Sequence, residues 1–137
     1  MRTTRIVFAT FFVMLVLAVA APARAQSTVD ECKARIDLIQ ADLYAIFNAG
    51  GIGGNTPTQT YSSLASKLQT AKTKLDQRKF ADALQKLQDF KTAVIALRDA
   101  AKPKLSAADA GLLLDGDDSS PINEGVNGAI ACVALLP

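Results

Sequence analysis

Apolar residues recur every three or four positions along most of the chain after residue 26, which is the spacing of one face of an α-helix. The first stripe consists of Val29, Cys32, Ile36, Ile39, Leu43 and Ile46. Thr28 and Glu31 fit a capping box at its beginning, and the pair Gly50-Gly51 is typical of a helix end. The pattern therefore predicts a first helix from about Thr28 to Asn48.

Two further stripes follow, separated by a short polar turn. They consist of Tyr61, Leu64, Leu68, Ala71 and Leu75, and then of Phe80, Ala83, Leu84, Leu87, Phe90, Val94, Leu97 and Ala101. Thr56 and Gln59 fit a second capping box around Pro57, and Pro103 ends the third helix. Because the turn at 76–79 is short, we expect the second and third helices to form an antiparallel hairpin. The glycine-rich stretch before them reads as a flexible connection, since it lacks the G-K-[ST] of a phosphate-binding loop.

Two shorter helices complete the pattern. Ser106 opens the first, which runs to about Leu114, and Ser120-Pro121 opens the second. One side of the last helix carries Ile122, Val126, Ile130 and Val133, and the adjacent side carries the small residues Gly125, Ala129 and Cys132. No strand-like alternation of useful length occurs. The predicted fold is an all-α, up-and-down bundle of three long and two short helices. Its largest core side chains are expected to be Phe47, Tyr61, Phe80 and Phe90.

Residues 1–25 have the layout of a secretory signal peptide. Arg2 and Arg5 precede the apolar run 6–21, and Ala23-Arg24-Ala25 forms an A-x-A cleavage site before Gln26. The alternative, an uncleaved anchor, has a run of 16 residues where a span needs roughly 20. We expect cleavage, export to the periplasm or the extracellular space, one helical domain at 26–137, and no transmembrane segment after cleavage.

The cysteine count of two permits a single internal bridge. Export would place Cys32 and Cys132 in an oxidising compartment, where disulfides form and persist. Closing a loop of 100 residues stabilises a fold by about 4.7 kcal/mol in the chain-entropy model. The sequence therefore predicts a Cys32–Cys132 disulfide, while two free thiols or an intermolecular bridge remain the alternatives.

Composition removes several classes of catalytic site. The chain has no His, which excludes Ser–His–Asp and Cys–His sites, and two Cys cannot build a Cys₄ zinc or four-thiolate iron–sulfur site. No cofactor is indicated. We therefore expect a binding protein rather than an enzyme.

Charge is segregated along the chain. Residues 64–104 hold ten basic and four acidic residues, whereas residues 105–137 hold five acidic and no basic ones. The candidate contacts for an acidic partner are Lys67, Lys72, Lys74, Arg78 and Lys79. This partner would be an unknown protein or an acidic surface polymer such as a polysaccharide or a lipid phosphate. Nucleic acid is not expected, since no platform of aromatic and basic residues occurs. Alternatively, the charges serve solubility and attract the hairpin to the tail, with Asp82 and Lys86 paired on the third helix.

An acidic stretch before the last helix resembles the front of a calcium loop. It comprises Asp115, Asp117, Asp118 and Ser119. An EF-hand loop needs Gly at position six and Glu at position twelve, where this sequence has Ser120 and Val126. The stretch is therefore a weak calcium candidate, or a solvated loop. A carboxylate pair for acid–base catalysis is a further, weaker interpretation.

Residues 64–114 resemble the FIMAH domain, a short helical module of extracellular bacterial proteins. The resemblance rests on Leu64, Leu68, Ala71 and Leu75, the turn DQRKF, then Ala83, Leu87, Phe90, Val94 and Leu97, and finally 105–110 with Leu113. The family usually carries Gly or Asn in the hairpin turn, where this sequence has Arg78-Lys79. The resemblance implies an extracellular accessory or interaction module without catalytic residues. We expect an exported, non-catalytic binding or accessory protein; the alternatives are a secreted inhibitor-like bundle and a weak calcium-dependent or carboxylate-based enzyme.

Overall fold

The computed structural model describes residues 27–117 and 122–137, which contain five helices and no strand. The helices are α1 (Val29–Asn48), α2 (Pro57–Asp76), α3 (Phe80–Asp99), α4 (Ala107–Asp115) and α5 (Gly125–Ala134). This confirms the predicted all-α bundle of three long and two short helices. The predicted signal peptide, residues 1–25, lies outside the described residues. Within them, no helix combines the length and the apolar content that crossing a bilayer requires.

The helices α1, α2, α3 and α5 form a ring in which neighbours run antiparallel. The helix α1 packs against α2 and α5, and α3 packs against the same two helices. Lys33 near the start of α1 pairs with Asp76 at the end of α2, at 2.6 Å. The short α4 packs against α5, α3 and α1. The α2–α3 hairpin and the α1–α5 pair are therefore opposite sides of the ring.

The predicted stripes form one core. The fully buried large side chains are Ile36, Ile39, Leu43, Leu64, Leu68, Leu75, Leu87, Phe90, Val94, Leu105, Leu113 and Val126. Of the four large side chains predicted for the core, Phe90 alone is fully buried, while Phe47, Tyr61 and Phe80 pack against its edge. The prediction is therefore confirmed for Phe90 and met in part by the other three. Phe47 is the last but one residue of α1, and Phe80 is the first residue of α3.

The disulfide joins α1 to α5. Cys32 and Cys132 are bonded with their Cα atoms 5.5 Å apart, and the described residues hold no free cysteine. This confirms the internal pairing. The predicted small side of α5, Gly125, Ala129 and Cys132, is buried, and Cys132 meets α1 through the disulfide. A Cβ at Gly128 would lie 2.3 Å from Cβ of Glu124 and 3.3 Å from Nη1 of Arg35, so glycine leaves room for the ion pair between these two side chains.

Two of the three predicted caps form. The hydroxyl of Thr28 accepts from the backbone N–H of Glu31 at 3.2 Å, and that of Ser106 accepts from the N–H of Asp109 at 3.0 Å. The capping box at Thr56 was wrong. Its backbone, at φ −139° and ψ 58°, lies outside the extended region and its side chain makes no capping bond, although Pro57 is the first helical residue as predicted.

The last helix begins later than predicted. Residues Ser120 and Pro121 lie outside the described residues, and the helix starts at Gly125. The chain before it passes directly beneath the end of α4. A Cβ at Gly116 (φ 76°) would lie 1.8 Å from the Asn123 carbonyl oxygen. This close backbone contact prevents the residues just before Gly125 from extending the helix.

The glycine-rich connection is anchored rather than free. Ile52 is 3% exposed and belongs to the core, and the N–H of Gly53 donates to the Lys104 carbonyl at 2.8 Å. The interpretation as a flexible connection missed this anchor because an isolated apolar residue among glycines shows no periodicity. The loop thereby brings the start of α2 beside the chain that follows α3.

Candidate functional site

The turn between α2 and α3 holds a basic residue in a conformation that favours glycine. Arg78 has φ 56°. Its N–H donates to the Leu75 carbonyl at 2.9 Å, and the N–H of Lys79 donates to the Lys74 carbonyl at 2.9 Å. These two bonds form a complete Schellman motif. The turn therefore places Arg78 and Lys79 on the surface, where both are exposed.

Two of the five candidate contacts are engaged within the protein. Lys72 pairs with Asp37 of α1. The Nζ atom of Lys74 lies 3.4 Å from Oδ2 of Asp82 across the hairpin. Each of these charges is therefore partly neutralised by a carboxylate of the bundle itself.

The other three lie apart from those two. Lys67 is half-buried on the side of α2 that faces α3, whereas Arg78 and Lys79 are exposed at the turn. Among the described residues, none of the three has a carboxylate within 4.0 Å. The five predicted residues thus belong to three places: the α1–α2 seam, the α2–α3 face and the turn.

The pairing predicted within α3 was wrong. Asp82 pairs with Lys74 of α2, and Lys86 pairs instead with Asp89 at 3.3 Å. The short turn brings Lys74 within reach of Asp82, so a contact between helices replaces one within a helix. Hydrogen bonds from Gln85 and then Lys86 lower the pKa of Asp89, with a smaller contribution from the charge of Lys67. The basic groups on this face therefore surround one ionised carboxylate.

The hairpin and the acidic tail meet through amides rather than ion pairs in the part of the chain that the structure describes. Lys91 donates to Oδ1 of Asn127 at 2.8 Å, and Nδ2 of Asn127 donates to Asp115 at 2.7 Å. The tail residue Glu124 pairs with Arg35 of α1 at 2.5 Å. The expected attraction between hairpin and tail therefore involves this relayed contact and the charge of Asp115 acting on Arg98, and it leaves most hairpin cations without an ion pair.

The two described acids of the calcium candidate turn towards different partners. Asp115 accepts from Asn127, whereas Oδ1 of Asp117 accepts from Nδ2 of Asn123 at 3.2 Å. Asp118 and Ser119 lie outside the described residues. Within the described ranges, no three His, Cys, Asp or Glu side chains are grouped to hold a metal ion. The calcium site therefore stays a sequence prediction.

Sequence reasoning missed the acid that faces this loop from α1. Nδ2 of Asn123 also donates to Oδ2 of Asp42 at 3.3 Å, and Asn123 is 7% exposed. Burial raises the pKa of Asp42, the Asn123 hydrogen bond opposes that rise, and the charge of Asp117 adds to it. The signal was present: Asp42 follows Ile39 by three positions and therefore borders the buried stripe.

No family model matches this chain, and neither a curated protein nor a solved structure is significantly similar to it. A function is therefore inferred from the residues of this chain.

Proposed function

We propose that this protein is an exported, non-catalytic binding module that holds an acidic surface polymer through its α2–α3 hairpin. The observation that carries the proposal is an excess of unengaged cations on and beside the hairpin. Among the described residues, six of its basic side chains have no ion pair. Lys91 is one of them and donates to Asn127, and the other five are Lys67, Arg78, Lys79, Lys102 and Lys104. Unpaired surface charge of one sign attracts a partner of the other sign.

Export is the second part of the proposal. The signal-peptide pattern of residues 1–25 supports it, and so does the Cys32–Cys132 disulfide, because such bonds are rare where thiols are kept reduced. The likeness of residues 64–114 to the FIMAH domain supports an accessory role outside the cell. Periplasm and medium are equally compatible with these features.

The chemistry of the described acids favours binding over catalysis. The chain has no histidine. Asp115 and Asp117 accept hydrogen bonds from separate asparagine amides, those of Asn127 and Asn123. A carboxylate pair for acid–base catalysis requires instead two acids directed at the same bond of a substrate.

Affinity chromatography on immobilised heparin, with unmodified agarose as the blank, tests the proposal. The full chain is expressed and purified without reductant, and its elution salt is measured. We compare Lys67/Arg78/Lys79→Gln, which removes three unpaired cations, with Lys33/Lys72/Lys74→Gln, which removes three paired ones. We expect the first variant to elute at clearly lower salt and the second near the wild type.

Two results would contradict the proposal. If the wild type passes through the heparin column as it passes through unmodified agarose, an acidic polymer is not its partner. An equal shift for both triple variants shows attraction to total charge instead of to the unengaged cations. Circular dichroism of each variant establishes that the comparison is between folded proteins.

A further inference from the structure

Three adjoining depressions run along the outer face of the α2–α3 hairpin. The middle one, of about 540 Å³, lies between Thr60 and Ser63 of α2 and Ala96 of α3. It shares Thr56 and Lys104 with a depression of about 460 Å³ at one end. It shares Ser63 with one of about 300 Å³ at the other end. We call the three together the hairpin trough.

The trough is long and narrow. Its α2 wall extends from Thr56 to Thr70, a helical distance of roughly 20 Å at 1.5 Å per residue. Its opposite side is open because α3 presents small residues there: Ala93, Ala96 and Ala100. A trough of these proportions suits a linear chain lying along the helices rather than a compact ligand.

The α2 wall is lined with hydroxyl groups. They belong to Thr56, Thr60, Ser63, Ser66 and Thr70. The hydroxyl of Thr60 donates to the Thr56 carbonyl at 3.2 Å, and that of Thr70 donates to the Ser66 carbonyl at 2.7 Å. Both oxygens keep lone pairs free to accept from a ligand, and Gln59 adds an amide.

Lysines lie at both ends and no lining residue is acidic. Lys102 and Lys104 border one end, and Lys67 and Lys86 border the other. Of these four, Lys86 has an ion pair among the described residues, with Asp89 at 3.3 Å. The remaining three cations have no ion pair and suit a ligand that carries negative charge at intervals along its length, and Lys67 also acts on the nearby carboxylate of Asp89.

We infer that the hairpin trough binds a linear anionic polysaccharide. Sugar hydroxyls hydrogen-bond the Thr and Ser wall, and carboxylate or sulfate groups meet the lysines at the two ends. An extended acidic peptide fits less well, because such peptides add to an exposed strand edge, and the walls here are helices whose backbone groups are already bonded. The inference rests on the proposed function and moves its site from the turn to the trough.

Titration with heparin at low salt, measured by calorimetry, distinguishes binding in the trough from binding at the turn. Lys67/Lys104→Gln removes one cation from each end of the trough. Arg78/Lys79→Gln removes two from the turn, with the same change in net charge. We expect the trough variant to bind about tenfold more weakly and the turn variant to stay within about twofold of wild type.

A second pair of variants tests the shape of the trough without changing charge. Ala96→Tyr places a ring on its floor, whereas Ala81→Tyr places the same ring on an exposed position of α3 outside it. We expect Ala96→Tyr to weaken heparin binding by about tenfold and Ala81→Tyr to leave it unchanged. Dextran serves as the neutral polysaccharide and poly-glutamate as the acidic peptide.

The outcomes distinguish the two proposals. Wild type that binds no anionic polymer overturns the proposed function itself. If the turn variant weakens heparin binding and the trough variants do not, the proposed function stands. The trough is then not the binding site. If the protein binds poly-glutamate more tightly than heparin, a polysaccharide is not the ligand of the trough. Equal affinity for dextran would overturn the role of the lysines.

Discussion

Small residues line both the α1–α5 seam and the outer face of the α2–α3 hairpin, with opposite results. At the seam, Gly128 and Ala129 are buried and a disulfide joins the two helices. On the hairpin, Ala96 and Ala100 are exposed and border an open trough. One stripe lets a neighbour approach closely, and the other leaves space that no described residue fills.

The seam contributes to stability, whereas the exposed face of the hairpin is the proposed binding surface. Gly128 weakens the isolated helix α5 by about 1 kcal/mol relative to Ala, so the seam depends on packing and on the covalent bond. Alanine favours helix formation, so α3 keeps its stability while its outer face stays shallow. Because the seam and the trough lie on opposite sides of the ring, changes at one should leave the other intact.

The largest expected effect comes from removing the disulfide. Cys32→Ser/Cys132→Ser should lower the free energy of unfolding by about 4 kcal/mol, because the unfolded chain regains the freedom of an open loop. Urea unfolding of both proteins measures the difference, and reduction of the wild type should reproduce it. Heparin affinity should be unchanged at a temperature where the variant remains folded. A loss below about 1 kcal/mol would mean that packing alone holds the seam.

A smaller effect of opposite sign is expected at the hairpin turn. Arg78→Gly should raise the free energy of unfolding by about 1 kcal/mol, since a left-handed conformation costs a residue with a side chain more than it costs glycine. Gln77→Gly is the matched control: Gln77 has φ −82°, so glycine there should bring no gain. Thermal unfolding of the pair measures both. Equal effects at the two positions would contradict strain at Arg78.

Regular features of the fold were predictable from local patterns. The bounds of α2 follow from Pro57 and the end of its apolar stripe, and the disulfide follows from a count of two cysteines. Both depend on short-range rules or on arithmetic, which a single sequence contains. The same holds for the caps at Thr28 and Ser106.

Features set by contacts between distant segments were not predictable. The start of α5 depends on the backbone of Gly116 meeting that of Asn123, and the anchor of the glycine-rich loop depends on Ile52 reaching the core. The trough escaped prediction for a related reason. Its two walls come from different helices, and Lys104 joins it from the chain beyond α3. A charge count along the sequence cannot tell which lysines are already paired.

The smallest expected effect concerns the polar contact at the end of the α1–α5 seam. Burial raises the pKa of Asp42 above its ordinary value of 3.8, so its ionised form costs stability above the folded pKa. That cost is absent below about 3.8, where the carboxyl is protonated in both states. Asp42→Asn should therefore stabilise the protein by at most about 0.5 kcal/mol at pH 7, because solvent screens this partly exposed carboxyl, with the gain vanishing towards pH 3.

Urea unfolding of Asp42→Asn and wild type across that pH range measures the difference. Asp37→Asn, on the same helix, is the control with the opposite expectation, because it removes the partner of Lys72 and should bring no gain. If Asp42→Asn raised the free energy of unfolding equally at pH 3 and pH 7, the gain would come from the shape of the side chain and not from its ionisation. Because Asn123 donates to Asp42, the variant keeps an oxygen acceptor there, and so the test isolates the charge at the seam.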